Sequence, residues 1–160
     1  MMRIGHSTDI HRLEPGEALI LGGTLIPSHL KSVGHSDADC LLHSIAEAFL
    51  GSLALGDLGS HFPDTDAANK GLDSKEILSY AYDLVLNHGY RVVNIDSMVF
   101  LEKPKLRSFI EAIRKSIAML LNISVDLVSV KATTGEKIGI VGTSQAIVCE
   151  TVLLVEKVKI

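Results

Sequence analysis

Residues 34–51 read Gly-His-Ser-Asp-Ala-Asp-Cys-Leu-Leu-His-Ser-Ile-Ala-Glu-Ala-Phe-Leu-Gly, and no other stretch limits the fold as strongly. Leu41, Leu42, Ile45, Ala48 and Phe49 recur at helical spacing, so they form an apolar stripe that must be buried against another layer. Ser36 is placed to cap the first turn, with Asp39 closing a capping box three residues later, and Gly51 is the expected stop. Asp39, His43 and Glu47 follow at four-residue intervals and share one polar face. That face either solvates three ordinary side chains or holds a ligand, and the helix alone does not decide between them.

The rest of the chain supplies partners for both faces. In Asp9-Ile10-His11 a carboxylate and an imidazole stand two residues apart, which in extended backbone puts them on the same side. With His43 they make an Asp/His/His set suited to zinc or a similar divalent ion with one coordination position open. The competing reading is a polar loop in which Asp9 caps a histidine pair. The Gly5–His11 run reads as turn-prone after a short strand at residues 3–6, and His6 and His29, without partner spacing, read as surface or packing residues.

Further along, residues 19–26 form a strand pair broken at Gly22-Gly23 and ended by Pro27. Residues 55–66, dense in Gly, Pro and Asp, read as a long irregular loop of the kind that binds ligands, where Asp57, Asp64 and Asp66 hold hydroxyls or satisfy turn amides. A helix over 74–88 starts near Asp73 or Ser74, buries Ile77, Leu78, Ala81, Leu84 and Val85, and stops at Gly89. A strand over 92–101 leads into the lysine-bearing turn Glu102–Lys105. Helix 106–121, a short strand 128–132 and a final strand 146–158 follow, the last two separated by Thr133-Thr134-Gly135-Glu136-Lys137. Small hydroxyls and one carboxylate at a strand end suit a phosphate held through hydroxyls and a metal ion. The expected fold is α+β: one domain spanning 1–160, with a mixed sheet of about four main strands covered by helices on one face, plus a small hairpin.

Composition removes several function classes. The chain carries 15 Lys and Arg against 19 Asp and Glu, a formal charge of −4, with no basic cluster, so it has no footprint for nucleic acid. No apolar run approaches the roughly 20 residues that span a bilayer. Cys40 and Cys149 sit in apolar segments far apart and read as reduced, buried thiols. A cytoplasmic protein, or a mature chain already processed, fits this usage. An anionic substrate would then need local cations or backbone amides.

Taken in order, Asp9-Ile10-His11, Gly34-His35-Ser36-Asp37-Ala38-Asp39, Leu42-His43, Gly56-Asp57-Leu58-Gly59, Phe62-Pro63-Asp64-Thr65-Asp66, Lys103-Pro104-Lys105 and Lys131-Ala132-Thr133-Thr134-Gly135-Glu136-Lys137 resemble the 2-C-methyl-D-erythritol 2,4-cyclodiphosphate synthase family. The seven motifs run in order from Arg3 nearly to the C-terminus. The resemblance implies an enzyme of the non-mevalonate isoprenoid pathway that converts 4-diphosphocytidyl-2-C-methyl-D-erythritol 2-phosphate to the cyclic diphosphate and releases CMP. It also implies a homotrimer with active sites between subunits. By the same carry-over Asp9, His11 and His43 hold zinc, Glu136 helps hold a second divalent ion, Mg2+ or Mn2+, and His35 and Thr134 support the transition state. Asp57, Leu58 and Gly59 hold the ribose, while Phe62, Pro63, Asp64, Thr65 and Asp66 line the methylerythritol. Leu101, Glu102, Lys103, Pro104, Lys105, Leu106 and Arg107, with Thr133, take the cytidine and its phosphates, and Ser36, Ile140 and Thr143 complete the implied contacts.

The chain departs from the family pattern at a few positions. Thr143 and Gln145 stand where bacterial relatives commonly carry an Arg and a Glu lining a cavity on the trimer axis. Ala38 replaces a usual Gly and Gly135 a usual Thr, which implies altered loop stiffness. The cytidylyltransferase domain fused to some relatives does not fit within 160 residues. Two other functions are compatible with the same metal set: a zinc-dependent phosphohydrolase, and a trimeric metal-binding protein without catalysis.

Overall fold

The computed structural model of the chain describes residues 1–34, 36–63, 65 and 71–158. Its elements are β1 (Met2–Pro15), β2 (Ala18–Leu21), β3 (Thr24–Pro27), β4 (Leu30–Val33), α1 (Cys40–Ser52), α2 (Leu58–His61), α3 (Ser74–Asn87), β5 (Tyr90–Phe100), α4 (Ile110–Leu121), β6 (Val128–Thr133), α5 (Gly139–Gly142) and β7 (Ala146–Lys157). Five strands make a mixed sheet in the order β4-β1-β7-β5-β6, and β2-β3 form a separate hairpin. Among the described residues only β5 and β6 run parallel, joined through α4 in a βαβ unit, and the other pairings are antiparallel.

The sheet therefore has five strands where about four main ones were expected. The missed strand is β4, four residues whose mixed composition carries no strand pattern but which pair with Arg12–Pro15 at the sheet edge. A second correction concerns β1. The Gly5–His11 run is no turn but the middle of a 14-residue strand, paired residue for residue with β7 from Met2↔Glu156 to Arg12↔Ala146. Strong pairing to a long apolar neighbour overrides the weak local preference of its polar residues.

Alternation along β1 decides the layers. Gly5, Ser7 and Leu13 are buried beneath the helices, and Asp9 and His11 continue that inner face half-buried, while Ile4, His6, Thr8, Ile10 and Arg12 lie exposed on the other. α1 crosses the inner face closely: a Cβ at Gly5 would stand 1.9 Å from the carbonyl oxygen of Ala48, so only glycine lets helix and strand approach this far. Leu41, Leu42, Ile45, Ala48 and Phe49 of α1 are fully buried with Ile95, Val99, Ile147, Leu153 and Val155 of the sheet. Three buried hydroxyls are satisfied within this layer, with Thr151 Oγ1 lying 2.8 Å from both Ser44 Oγ and Ser97 Oγ.

The start of α1 differs from the expected one. The helix begins at Cys40, and Asp39 itself is the N-cap, with its side chain accepting from Leu42 N; Ser36 caps nothing there. Asp39 is fully buried and also accepts from Gly22 N at 2.9 Å and Gly23 N at 2.7 Å, so it ties the β2–β3 turn to the helix N-terminus. A cap residue has extended backbone, so the four-residue spacing that would align Asp39 with His43 does not operate. The helix runs one residue past Gly51 to Ser52. α3 starts where expected, with Asp73 as N-cap, and ends at Asn87, one residue early; Leu84 is half-buried against the core and Tyr82 is buried in addition. α4 starts at Ile110, four residues later than expected. Both cysteines are free and buried. No helix among the described residues is long and apolar enough to cross a membrane.

Candidate active site

Two cavities collect most of the residues singled out above. The first, of about 420 Å³, opens between the inner face of β1 and the N-terminal half of α1, and is lined by Asp9, His11, His43, Ser36, Glu47, Leu58, Gly59 and Phe62, among others. The second, of about 680 Å³, lies beyond the ends of β5 and β6, where Leu101, Lys105, Leu106, Arg107, Thr133, Thr134 and Glu136 meet Lys131 and Glu111.

Strand alternation brings Asp9 and His11 to one side of β1, and the first turn of α1 carries His43 over them. His11 Nε2 lies 3.0 Å and His43 Nδ1 3.5 Å from Asp9 Oδ2, with the two rings edge to face at 5.2 Å between centroids. One ligand atom from each residue falls within 4.8 Å of the others, the one such group among the described residues. The hydrogen bonding explains what belongs there. His11 Nδ1 bonds the carbonyl oxygen of Ala38 at 3.0 Å, and a carbonyl only accepts, so Nδ1 carries the proton and the neutral ring turns the Nε2 lone pair toward Asp9. Asp9 Oδ2, buried, is then an acceptor facing an acceptor, and it has no hydrogen-bond partner. A cation resolves this conflict, and the Asp/His/His donor set fits zinc-like divalent ions.

Without a metal, a proton takes the same role. Burial raises the Asp9 carboxyl, but hydrogen bonds and charge from His11 and His43 outweigh it and hold the group well below the usual carboxylate range. Burial likewise lowers His11, and Asp9 outweighs it, so the imidazole titrates above its ordinary value. Ala38, whose carbonyl orients His11, sits at φ 61°, in the left-handed region where a Cβ is strained.

Around the triad, Glu47 accepts from Ser7 Oγ at 3.3 Å. Asp57 caps α2, accepting from Ser60 N at 2.8 Å, so it satisfies the turn amides that the sequence allowed. His61 bonds the carbonyl oxygen of Leu55 at 2.9 Å and Tyr80 OH at 3.0 Å, and Phe62 packs edge-on to Tyr80 at 5.1 Å. These contacts fix the 55–63 segment to α3. Pro63 and Thr65 are described, Thr65 as an exposed turn residue, whereas His35, Asp64 and Asp66 lie outside the described residues.

In the second cavity Glu136 is exposed, at φ 51°, and accepts from Thr134 Oγ1 at 2.9 Å. Glu102 accepts from Gly135 N at 3.1 Å, which fastens the 133–137 loop to the 101–107 turn. Lys103 and Pro104 face a third cavity with His29 and Lys105, while Ile140 and Thr143, in or beside α5, line neither of the first two. Sequence reasoning missed Leu72 at the first cavity and Ile110 and Glu111 at the second, whereas Glu47, read on the polar face of the helix without a firm role, does line the first. Glu47 had a visible signal, one turn beyond His43.

The comparisons decide the family. A family model described as the YgbB family matches residues 2–156. The chain belongs to the YgbB family. A YgbB relative from Chloroherpeton thalassium named 2-C-methyl-D-erythritol 2,4-cyclodiphosphate synthase is 52% identical, covering 98% of this chain and 100% of its own. One of the same name from Natranaerobius thermophilus is 49% identical over 98% and 99%. Among solved structures, a 2C-methyl-D-erythritol-2,4-cyclodiphosphate synthase superposes with TM-score 0.89 at 35% identity, over 96% of this chain and all of its own. The Plasmodium falciparum IspF in a CDP complex superposes with TM-score 0.87 at 34% identity, over 99% and 97%.

Proposed function

We propose that this chain is a 2-C-methyl-D-erythritol 2,4-cyclodiphosphate synthase, which converts 4-diphosphocytidyl-2-C-methyl-D-erythritol 2-phosphate to the cyclic diphosphate and CMP. The observation that carries the reading is the acceptor cluster of Asp9, His11 and His43 at the foot of a cavity, in a chain whose relatives bear that name along their whole length. In the reaction a 2-phosphate oxygen attacks the β-phosphorus, and the bond from that phosphorus to the CMP oxygen breaks. The nucleophile is already an anion, so the site must position it and offset charge rather than supply a strong base.

Zn2+ held by Asp9, His11 and His43, and Mg2+ or Mn2+ near Glu136, would supply charge neutralisation and Lewis acidity at the phosphates. The side chains do the remainder. Ser36, Leu58, Gly59 and Phe62 line the first cavity. By the family pattern Asp57, Leu58 and Gly59 hold the ribose and Phe62, Pro63 and Thr65 the methylerythritol, together with Asp64 and Asp66, which lie outside the described residues. Lys105, Arg107, Thr133 and Thr134 line the second cavity and offer donors to the cytidine phosphates. The family pattern assigns transition-state support to Thr134 and to His35, which lies outside the described residues. This local basicity lets an acidic protein hold a polyanion. Lys103 and Pro104 face the third cavity and Ile140 and Thr143 line neither of the first two, so their part in nucleotide binding rests on the family pattern alone.

The reading includes a trimer with shared sites. β1 carries Asp9 and His11, and β6 leads to Glu136; β7 and β5 lie between them, three strand spacings or roughly 14 Å. The two groups line separate cavities, and in the proposed trimer a second copy would bring them together. The exposed sheet face supplies apolar surface for such contact, with Ile4 69%, Ile10 53% and Val152 45% exposed. Reduced cysteines agree with a cytoplasmic location.

The test is CMP release from the cytidyl substrate. Release is expected to depend on a divalent ion, to stop on chelation and to fall to background in His43→Ala. A protein that binds the ion yet releases no CMP contradicts the proposal.

A further inference from the structure

His43 is gripped from behind by polar side chains, of which Ser74 and, through it, Asp37 have no part in the reaction above. Its Nε2 lies 2.9 Å from Ser74 Oγ and 3.1 Å from Ser36 Oγ. The Ser74 hydroxyl donates to Asp37 Oδ1, which also accepts from Asp39 N at 3.3 Å and Ser74 N at 3.4 Å. Ser74 is the first residue of α3 and fully buried; Asp37 belongs to the loop before α1, 37 positions earlier. The link therefore joins two elements at the back of the metal site.

The direction of this chain fixes a proton. A serine hydroxyl has one hydrogen, and Asp37 takes it, so Ser74 presents only lone pairs to His43. His43 Nε2 must donate. That leaves the Nδ1 lone pair facing Asp9 Oδ2, on the side where the ion would sit. Ser36 Oγ, which accepts from Ala38 N at 3.1 Å, adds a second acceptor for the same Nε2–H. The opposite tautomer would set lone pairs against each other at Ser74 and aim a proton at Asp9.

We propose that Asp37 and Ser74 are positioning residues for the metal: the Asp37–Ser74–His43 chain sets the tautomer and ring orientation of the third ligand. His11 is held in the corresponding way by the Ala38 carbonyl, so each imidazole is fixed through its far nitrogen. The inference rests on Asp9, His11 and His43 being the metal ligands.

Two readouts test it. In metal-free protein labelled with nitrogen-15 histidine, long-range proton–nitrogen correlation at about pH 8, above the ordinary imidazole range, reads the tautomer directly. His43 is expected as the Nε2–H form in the native chain and as a mixture in Ser74→Ala and Asp37→Ala. Co2+ affinity, measured by titration against a chelator, is expected to fall about 10- to 100-fold in both. Asp37→Asn, which keeps an acceptor for the Ser74 hydroxyl, is expected to preserve the native tautomer and most of the affinity. An Nδ1–H tautomer in the native protein, or native Co2+ affinity in both alanine variants, overturns the proposal. Should Ser74→Ala not fold, the native tautomer and the Asp37 pair still decide it. Native Co2+ affinity in His43→Ala would instead remove the metal reading itself.

Discussion

At the scale of single residues, the acceptor cluster makes metal affinity a function of pH. His11 titrates above its ordinary value because Asp9 faces it, and a metal must displace that proton to bind. Co2+ affinity is therefore expected to fall as pH is lowered through the range in which His11 takes up its proton, a range raised by Asp9. Affinity independent of pH over that range would contradict the assignment. Asp39 serves the fold instead. Burial pushes its carboxyl up to about 6 against three backbone donors. It holds its proton more tightly folded than unfolded, so its contribution to stability is greatest below the ordinary carboxylate value and is given up as pH rises toward 6. Asp39→Ala orphans Gly22 N, Gly23 N and Leu42 N, and a loss on the order of 2–4 kcal/mol is expected by urea denaturation. The triad was legible because strand spacing and a helical histidine are local signals. Asp39 was misread because the helix starts three residues later than expected, with Asp39 rather than Ser36 as its cap, which moves the side chain off the polar face. Ser74 gave no signal, since its partner Asp37 is remote in sequence.

At the scale of elements, the close approach of α1 to β1 aims His43 at Asp9. Gly5→Ala would drive a Cβ into the Ala48 carbonyl, separating helix from strand. A loss of about 1–3 kcal/mol in thermal or urea denaturation is expected, with weaker Co2+ binding although no ligand has changed. Unchanged stability would mean that α1 is free to shift. The three long helices were anticipated, because apolar periodicity and Asp73 as a cap are strong local marks, although α1 and α4 start later than expected; the four-residue α2 and α5 are too short to show a period and were not expected. Strands were less so. β1 carries His, Ser, Thr and Asp where strand preference is weak, and β7 confers its conformation through eleven paired residues. β4 is four residues long and depends on its place at the edge.

For the whole molecule, the sheet order separates the Asp9/His11/His43 cavity from the Glu136 cavity, and shared sites in a closed ring follow if copies associate through the exposed sheet face. Mixing His43→Ala with Glu136→Ala chains and refolding them together is then expected to restore about a quarter of native activity, since one site in four pairs two intact halves. No recovery would place both halves within one chain. The ring itself was carried by resemblance, because an interface between copies leaves only exposed apolar residues such as Ile10 as its trace in one sequence. The central claim is cyclisation, and the phosphorus NMR spectrum of the product tests it most directly. The account predicts two coupled phosphorus signals of a cyclic diphosphate appearing together with CMP, dependent on a divalent ion. A linear product with a terminal phosphate, released by water attack at the same triad, would contradict it.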